Sequence, residues 1–267
     1  MSAFAETTAA LPQPLVDLRS MPFTLDGGVA ARAAIGLVVL ATDHTIEHEW
    51  RALLGGLDGV GFFATRLWND ATITTETLRA MEGNIAEAVR LIRPGERIDA
   101  VAFGCTSGAM VIGDDVVAAR VHEVRPGVPC CSPLSAATEG LRAAGCRRIA
   151  LLTPYGDGLN RAMRADLMRR GLEVPVVGSF NHENDNEVAR IDAASLRAAA
   201  LELGRRPEAD GLFVSCTSLR AAALVQELEA ELGKPVTSSN HALAWRALRL
   251  AGVPDALPDR GCLFRLP

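Results

Sequence analysis

Val101-Ala-Phe-Gly-Cys-Thr-Ser-Gly-Ala109 and Leu212-Phe-Val-Ser-Cys-Thr-Ser-Leu-Arg220 carry nearly the same message in the two halves of this chain. Each is an apolar run of strand length that ends in Cys-Thr-Ser. Such a run, followed at once by small polar residues that open a helix, is the texture of a buried parallel strand reaching its carboxyl end. In open α/β sheets that end is where ligands bind. Two copies of the arrangement predict two sheets, each offering a cysteine to a shared cleft.

Working outward, short aliphatic runs alternate with helical patterns along the rest of the chain. The runs are IGLVVLA (35–41), GVGFFAT (59–65), AVAFG (100–104), VPCCS (128–132), RIALLT (148–153), VPVVGSF (174–180), GLFVS (211–215) and PVTSS (235–239). Leu78, Met81, Ile85, Val89 and Ile92 mark one face of a helix over 75–92. The alternation itself repeats. LVVLAT (37–42) aligns with IALLTP (149–154), and VPCCSPLSAATEGLRAAG (128–145) aligns with KPVTSSNHALAWRALRLAG (234–252). The expected organisation is an N-terminal extension over 1–33, a first α/β lobe over 34–133 plus 238–267, and a second over 134–237, each around a four-stranded parallel sheet.

A thiol at a helix N-terminus feels the positive end of the macrodipole and nearby free N–H groups, so Cys105 and Cys216 are expected to have lowered pKa values and to supply thiolate near neutral pH. Thr106, Ser107, Thr217 and Ser218 add hydroxyl and backbone donors suited to a carboxylate. One thiol on each face of a small acid could remove a proton from one side and return it on the other, or add to an alkene carbon while its twin protonates the neighbour. Cys130, Cys131, Cys146 and Cys262 have no such partner motif and read as core thiols.

These motifs, with GLVVLATDHTIEHEW (36–50) ahead of them and LLTPYGDGLN (151–160) between, resemble the aspartate/glutamate racemase superfamily, in particular its maleate cis-trans isomerase and arylmalonate decarboxylase branch. The resemblance covers the chain from about residue 35. It implies two flavodoxin-like lobes related by a pseudo-twofold axis, an active site at the lobe interface, catalysis without a cofactor, and a dimer or higher homo-oligomer. It also implies that Cys105 is the nucleophile or base, that Cys216 is its partner, and that Tyr155 and Asn186 bind substrate carboxylate, with Asn184 close by. The presence of both cysteines argues against the decarboxylase, which retains only the second.

One position departs from the branch. Where maleate isomerases place an asparagine after the first strand, this chain has Asp43. An ionised Asp cannot donate a hydrogen bond and would repel a dicarboxylate. It suits instead a substrate carrying an ammonium or amide nitrogen, as in the ectoine-utilisation members that the opening also resembles. The competing reading of Asp43 is an N-cap for the following helix. A competing reading of the whole is a carboxylate-binding protein without chemistry.

The remaining signals narrow the field. The 27 basic and 32 acidic residues give a net charge of −5 with no basic run, which disfavours a nucleic-acid partner. No long apolar stretch suggests a membrane span or a secretory leader, so a cytoplasmic location is expected, with free thiols to match. His44 and His48 fit a zinc-ligand spacing, but an exposed helix face accounts for them and no metal is expected. Arg66, at the end of the second strand, is a solvated side chain or a carboxylate clamp.

Overall fold

The computed structural model describes residues 18–267, and the first part of the expected N-terminal extension lies outside the described residues. The first sheet is built from β1 (Ala33–Leu40), β2 (Val60–Leu67), β3 (Ala100–Gly104) and β4 (Cys130–Cys131), in the order β2-β1-β3-β4. The second is built from β5 (Arg148–Thr153), β6 (Glu173–Ser179), β7 (Gly211–Val214) and β8 (Val236–Ser238), in the order β6-β5-β7-β8. All pairings are parallel. The two sheets therefore share one topology, and β1, β3 and β7 are buried along their whole length. That burial on both faces is why these strands read as unbroken apolar runs.

Helices fill the connections. In the first half these are α1 (Ile46–Leu54), α2 (Thr75–Ala80), α3 (Ile85–Arg90), α4 (Thr106–Ile112), α5 (Asp114–His122) and α6 (Pro133–Ala143). In the second they are α7 (Asp157–Arg169), α8 (Asp185–Val188), α9 (Ala193–Gly204), α10 (Val225–Leu232) and α11 (Ser239–Leu250). The single helix expected over 75–92 is two helices joined by a 3₁₀ turn, Met81–Asn84. Gly83 sits inside that turn, where a residue without a Cβ weakens a continuous helix.

The equivalent helices α6 and α11 pack against each other. A Cβ at Gly140 of α6 would come within 2.6 Å of Leu263 Cδ2 and 3.4 Å of Trp245 Cζ3, so only glycine allows this approach. Each helix starts on a serine cap: Ser132 Oγ accepts from the Ser135 N–H, and Ser238 Oγ accepts from the His241 N–H at 3.3 Å. Asp114, at the start of α5, accepts from Ser132 Oγ at 2.6 Å and pairs with Arg170 beyond α7 at 2.8 Å.

Candidate active site

The carboxyl ends of β3 and β7 bring the two Cys-Thr-Ser turns to one cavity. It is lined by Cys105, Thr106, Ser107, Tyr155, Asp185, Cys216 and Thr217, with Met81, Leu78 and Ile73 as apolar walls. The two cysteines are 3% and 5% exposed and remain free thiols. The space left for water centres is about 20 Å³, room for roughly one water. The cleft is closed by its rim: the Ile73 N–H donates to the Glu183 carbonyl and the Asp185 N–H to the Ala71 carbonyl, both at 3.0 Å.

The two turns differ in backbone. Cys105 caps α4 from an extended conformation, and its Sγ accepts the Gly108 N–H at 3.2 Å. Cys216 opens no helix. It sits at φ +125°, a region L-residues rarely adopt, and is followed by a turn and a short 3₁₀ segment before α10. Ser239 ties the turns together, its Oγ accepting from Thr106 Oγ1 at 2.8 Å and from the Cys216 N–H at 2.9 Å.

The electrostatics reverse the expectation of resting thiolates. Burial pushes the Cys105 thiol up to about 12, with the Gly108 N–H opposing and Asp185 and Asp43 reinforcing the rise. Burial, then Asp185, pushes Cys216 up as well, against the Ser218 N–H and the Tyr155 hydroxyl. Loss of solvent outweighs the donors in these two turns, because a desolvated anion loses more than one N–H can return. Tyr155 is fully enclosed, with its hydroxyl between Cys216 and Ser107 and its pKa raised by burial and by both thiols. Its main chain is fixed by Thr153, Asn160 and Ser179: the Tyr155 N–H donates to Thr153 Oγ1, and its carbonyl accepts from Asn160 Nδ2 and Ser179 Oγ.

Other residues singled out from the sequence fall into distinct places. Asp43 is buried, and its Oδ1 accepts from the N–H groups of Thr45 at 2.6 Å and Ile46 at 2.8 Å, holding the turn that leads into α1, whose N-cap position is Thr45. Among the described residues its Oδ2 is buried without a hydrogen-bond partner, and desolvation raises the carboxyl to about 6. Asp43 is not among the cavity-lining residues. Asn186 is half-buried and does not line the cavity either, whereas its neighbour Asp185 does. Asp185 accepts from Ser218 Oγ at 2.6 Å and Thr42 Oγ1 at 2.5 Å. Asn184 caps α8 through the Glu187 N–H. Ser218 reaches the site through Asp185. Arg66 donates to the carbonyls of Leu40 and Asp43 and pairs with Glu47, so it braces the β1–α1 turn. His44, ahead of α1, and His48, within it, are exposed.

The sequence reading missed Asp185 and Ser239. Both stand at helix starts, in segments quoted above for other reasons, the asparagines beside Asp185 and the repeat that contains Ser239.

Comparison with known proteins identifies the family. The arylmalonate decarboxylase (Amdase) family profile matches residues 35–264. A maleate isomerase of Nocardia farcinica is 31% identical over 241 residues, covering 86% of this chain and 95% of that protein. An arylmalonate decarboxylase of Bordetella bronchiseptica is 37% identical over 140 residues, a match spanning 52% of this chain and 58% of that protein. Among solved structures, a cysteine-to-serine variant of the Nocardia farcinica maleate cis-trans isomerase, with a covalently bound succinylcysteine intermediate, superposes with a TM-score of 0.79 at 30% identity, covering 87% of this chain and 98% of that one. With its two parallel sheets, its paired cysteine turns and a profile match over most of its length, the chain belongs to the arylmalonate decarboxylase family.

Proposed function

We propose that the protein is a cofactor-independent isomerase or racemase acting on a small carboxylate that also bears a cationic nitrogen. The observation that carries the reading is Asp185, a carboxyl buried to 4% exposure that lines the same cavity as both thiols and Tyr155. A dianion such as maleate entering there would add negative charge to a site in which burial, reinforced by Asp185, already holds both thiols protonated. An ammonium beside Asp185 does the opposite. It offsets the field that raises Cys105 and Cys216 and makes one thiolate accessible. Asp43 lies behind and adds to the same field.

In this reading the substrate carboxylate is held by the Tyr155 hydroxyl and by the donors of Thr106, Ser107 and Thr217. One thiolate takes the α-proton and the other thiol delivers its own proton to the opposite face, which inverts the centre. Entry requires the paired rim segments around Ile73 and Asp185 to part. The likeness of the opening sequence to ectoine-utilisation members fits a nitrogen-bearing substrate. A second reading, maleate isomerisation by thiolate addition, is favoured by the presence of both cysteines and by the Nocardia farcinica relative. We further infer a homo-oligomer in the cytoplasm; exposed Met21, Phe23, Leu25 and Val29 offer apolar surface for assembly.

The test is ligand preference. Wild-type protein should bind small amino acids in preference to maleate, and Asp185→Asn should shift the ratio toward maleate by about tenfold or more, the worth of one charge-assisted hydrogen bond. An unchanged ratio returns maleate to first place.

A further inference from the structure

Behind the Cys216 turn lies a buried carboxyl that the chemistry above does not use. Glu49, on α1, is 5% exposed and bridges to the opposite sheet's loop. Its Oε1 accepts the Ala222 N–H at 2.7 Å, and its Oε2 accepts from Asn240 Nδ2 at 2.7 Å. The same Asn240 Nδ2 donates to the Thr217 carbonyl at 2.7 Å. Turning that amide over would set Oδ1 against two acceptors, so the chemistry of the neighbours fixes its orientation. Asn240 is itself held, since Trp50 Nε1 donates to its main-chain carbonyl at 3.2 Å.

Glu49 thus grips both ends of the segment 217–222, at Ala222 directly and at Thr217 through Asn240. Immediately before that segment stands Cys216, at φ +125°. A non-glycine residue in such a region is strained and persists only where its surroundings over-determine it. The Ser239 hydroxyl holds the Cys216 N–H on one side, and the Glu49–Asn240 staple holds the residues that follow. Thr45, the residue before α1, adds a tie at the middle of the turn, its Oγ1 donating to the Ser218 carbonyl at 2.9 Å.

We propose that Glu49, acting through Asn240, is a positioning residue that sets the backbone of the Cys216 turn and so the aim and enclosure of its thiol. This rests on the reading of Cys216 as one of the two reacting groups. Cys105, capping α4 on the other sheet, makes no direct bond to Glu49 among the described residues and serves as an internal reference.

The experiment is site-resolved alkylation of the full-length protein by iodoacetamide, read by mass spectrometry as the rates at Cys216 and Cys105 from about pH 7 to about pH 10. In Glu49→Gln one of the two acceptor oxygens becomes an NH2 donor, so either the Ala222 N–H or the Asn240 amide loses its partner, and Cys216, less enclosed, should react about tenfold faster while Cys105 changes by less than about twofold. Asn240→Ala, which keeps the Glu49 bond to Ala222, should give the same selective change and covers the case in which Glu49→Gln does not fold. A Cys216 rate equal to wild type in the folded variants overturns the proposal, as does an equal rise at both cysteines, which would mark general loosening. Failure of the catalytic reading has a separate signature: Cys216→Ser would keep full turnover whatever the alkylation rates.

Discussion

Gly108 and Leu219 stand at the same step of the two Cys-Thr-Ser turns, and they send the turns to different backbones. After Cys105 the third residue is Gly108, whose N–H reaches the thiol; a Cβ there would lie 2.8 Å from Cys105 Sγ and 2.4 Å from Met81 Cε. After Cys216 the third residue is Leu219, buried in the core, and no helix forms. A leucine cannot occupy the tight step that lets a cysteine cap its own helix, so the second thiol is presented from a strained main chain held by tertiary bonds. The repeat conserves the place of the sulfur while changing what holds it. One cysteine is positioned locally and the other from the opposite lobe.

Breaking the local side should have the largest effect. Gly108→Ala overpacks the Cys105 cap, at a cost of about 1–3 kcal/mol in stability. Because the added methyl pushes on the sulfur itself, turnover should fall by roughly 100-fold, as for a reacting group displaced by about 1 Å. Leu219→Ala should invert the balance, losing about 2–5 kcal/mol to a core cavity with a smaller change in chemistry per unit of lost stability. Denaturant melts paired with turnover rates compare the two; equal behaviour would erase the distinction.

The distant support of Cys216 should show in the pH dependence of stability. Burial raises the Glu49 carboxyl from 4.5 to about 7, against the Asn240 and Ala222 donors. The folded state therefore binds a proton that the unfolded chain has released, and stability falls as pH rises from about 4.5 to about 7. Asp43, raised to about 6, acts in the same direction. His241, lowered by burial to about 4, acts oppositely below its ordinary value. The Glu49 part is isolated by subtraction: wild type should lose on the order of 3 kcal/mol relative to Glu49→Gln across that window. A parallel pair of stability curves would mean that Glu49 titrates normally.

The smallest effect belongs to Asp43. Asn is as good a partner for these N–H groups, so Asp43→Asn should leave the Thr45 and Ile46 bonds in place and change stability by less than about 1 kcal/mol below about pH 4, where the Asp43 carboxyl carries no charge. Since Asp43 does not line the cavity, its ligand ratio should move far less than that of Asp185→Asn. A shift as large as that of Asp185→Asn would put Asp43 in contact with substrate.

The fold was legible because parallel strands buried on both faces leave continuous apolar runs, and all eight runs correspond to strands. VPCCS shrinks to Cys130–Cys131, since only those residues pair with β3. The paired thiols and Tyr155 were legible from the repeat and the resemblance. Their protonation was not, because a motif displays the donors at a helix start but not the depth of burial that opposes them. Asp185 was obscured by the asparagines beside it, and nothing local to Cys216 announces a positive φ. Glu49 lay within a quoted motif, yet its partners are more than 170 residues away.

The account rests most heavily on both thiols acting within one cleft, and solvent deuterium measures that directly. Wild-type protein in deuterium oxide, given a small amino acid it binds, should incorporate deuterium at the α-carbon and scramble its configuration. Cys105→Ser and Cys216→Ser should each slow the interconversion of enantiomers by about 100- to 10,000-fold, the range over which a positioned acid or base contributes. Either variant racemising at the wild-type rate would contradict the account.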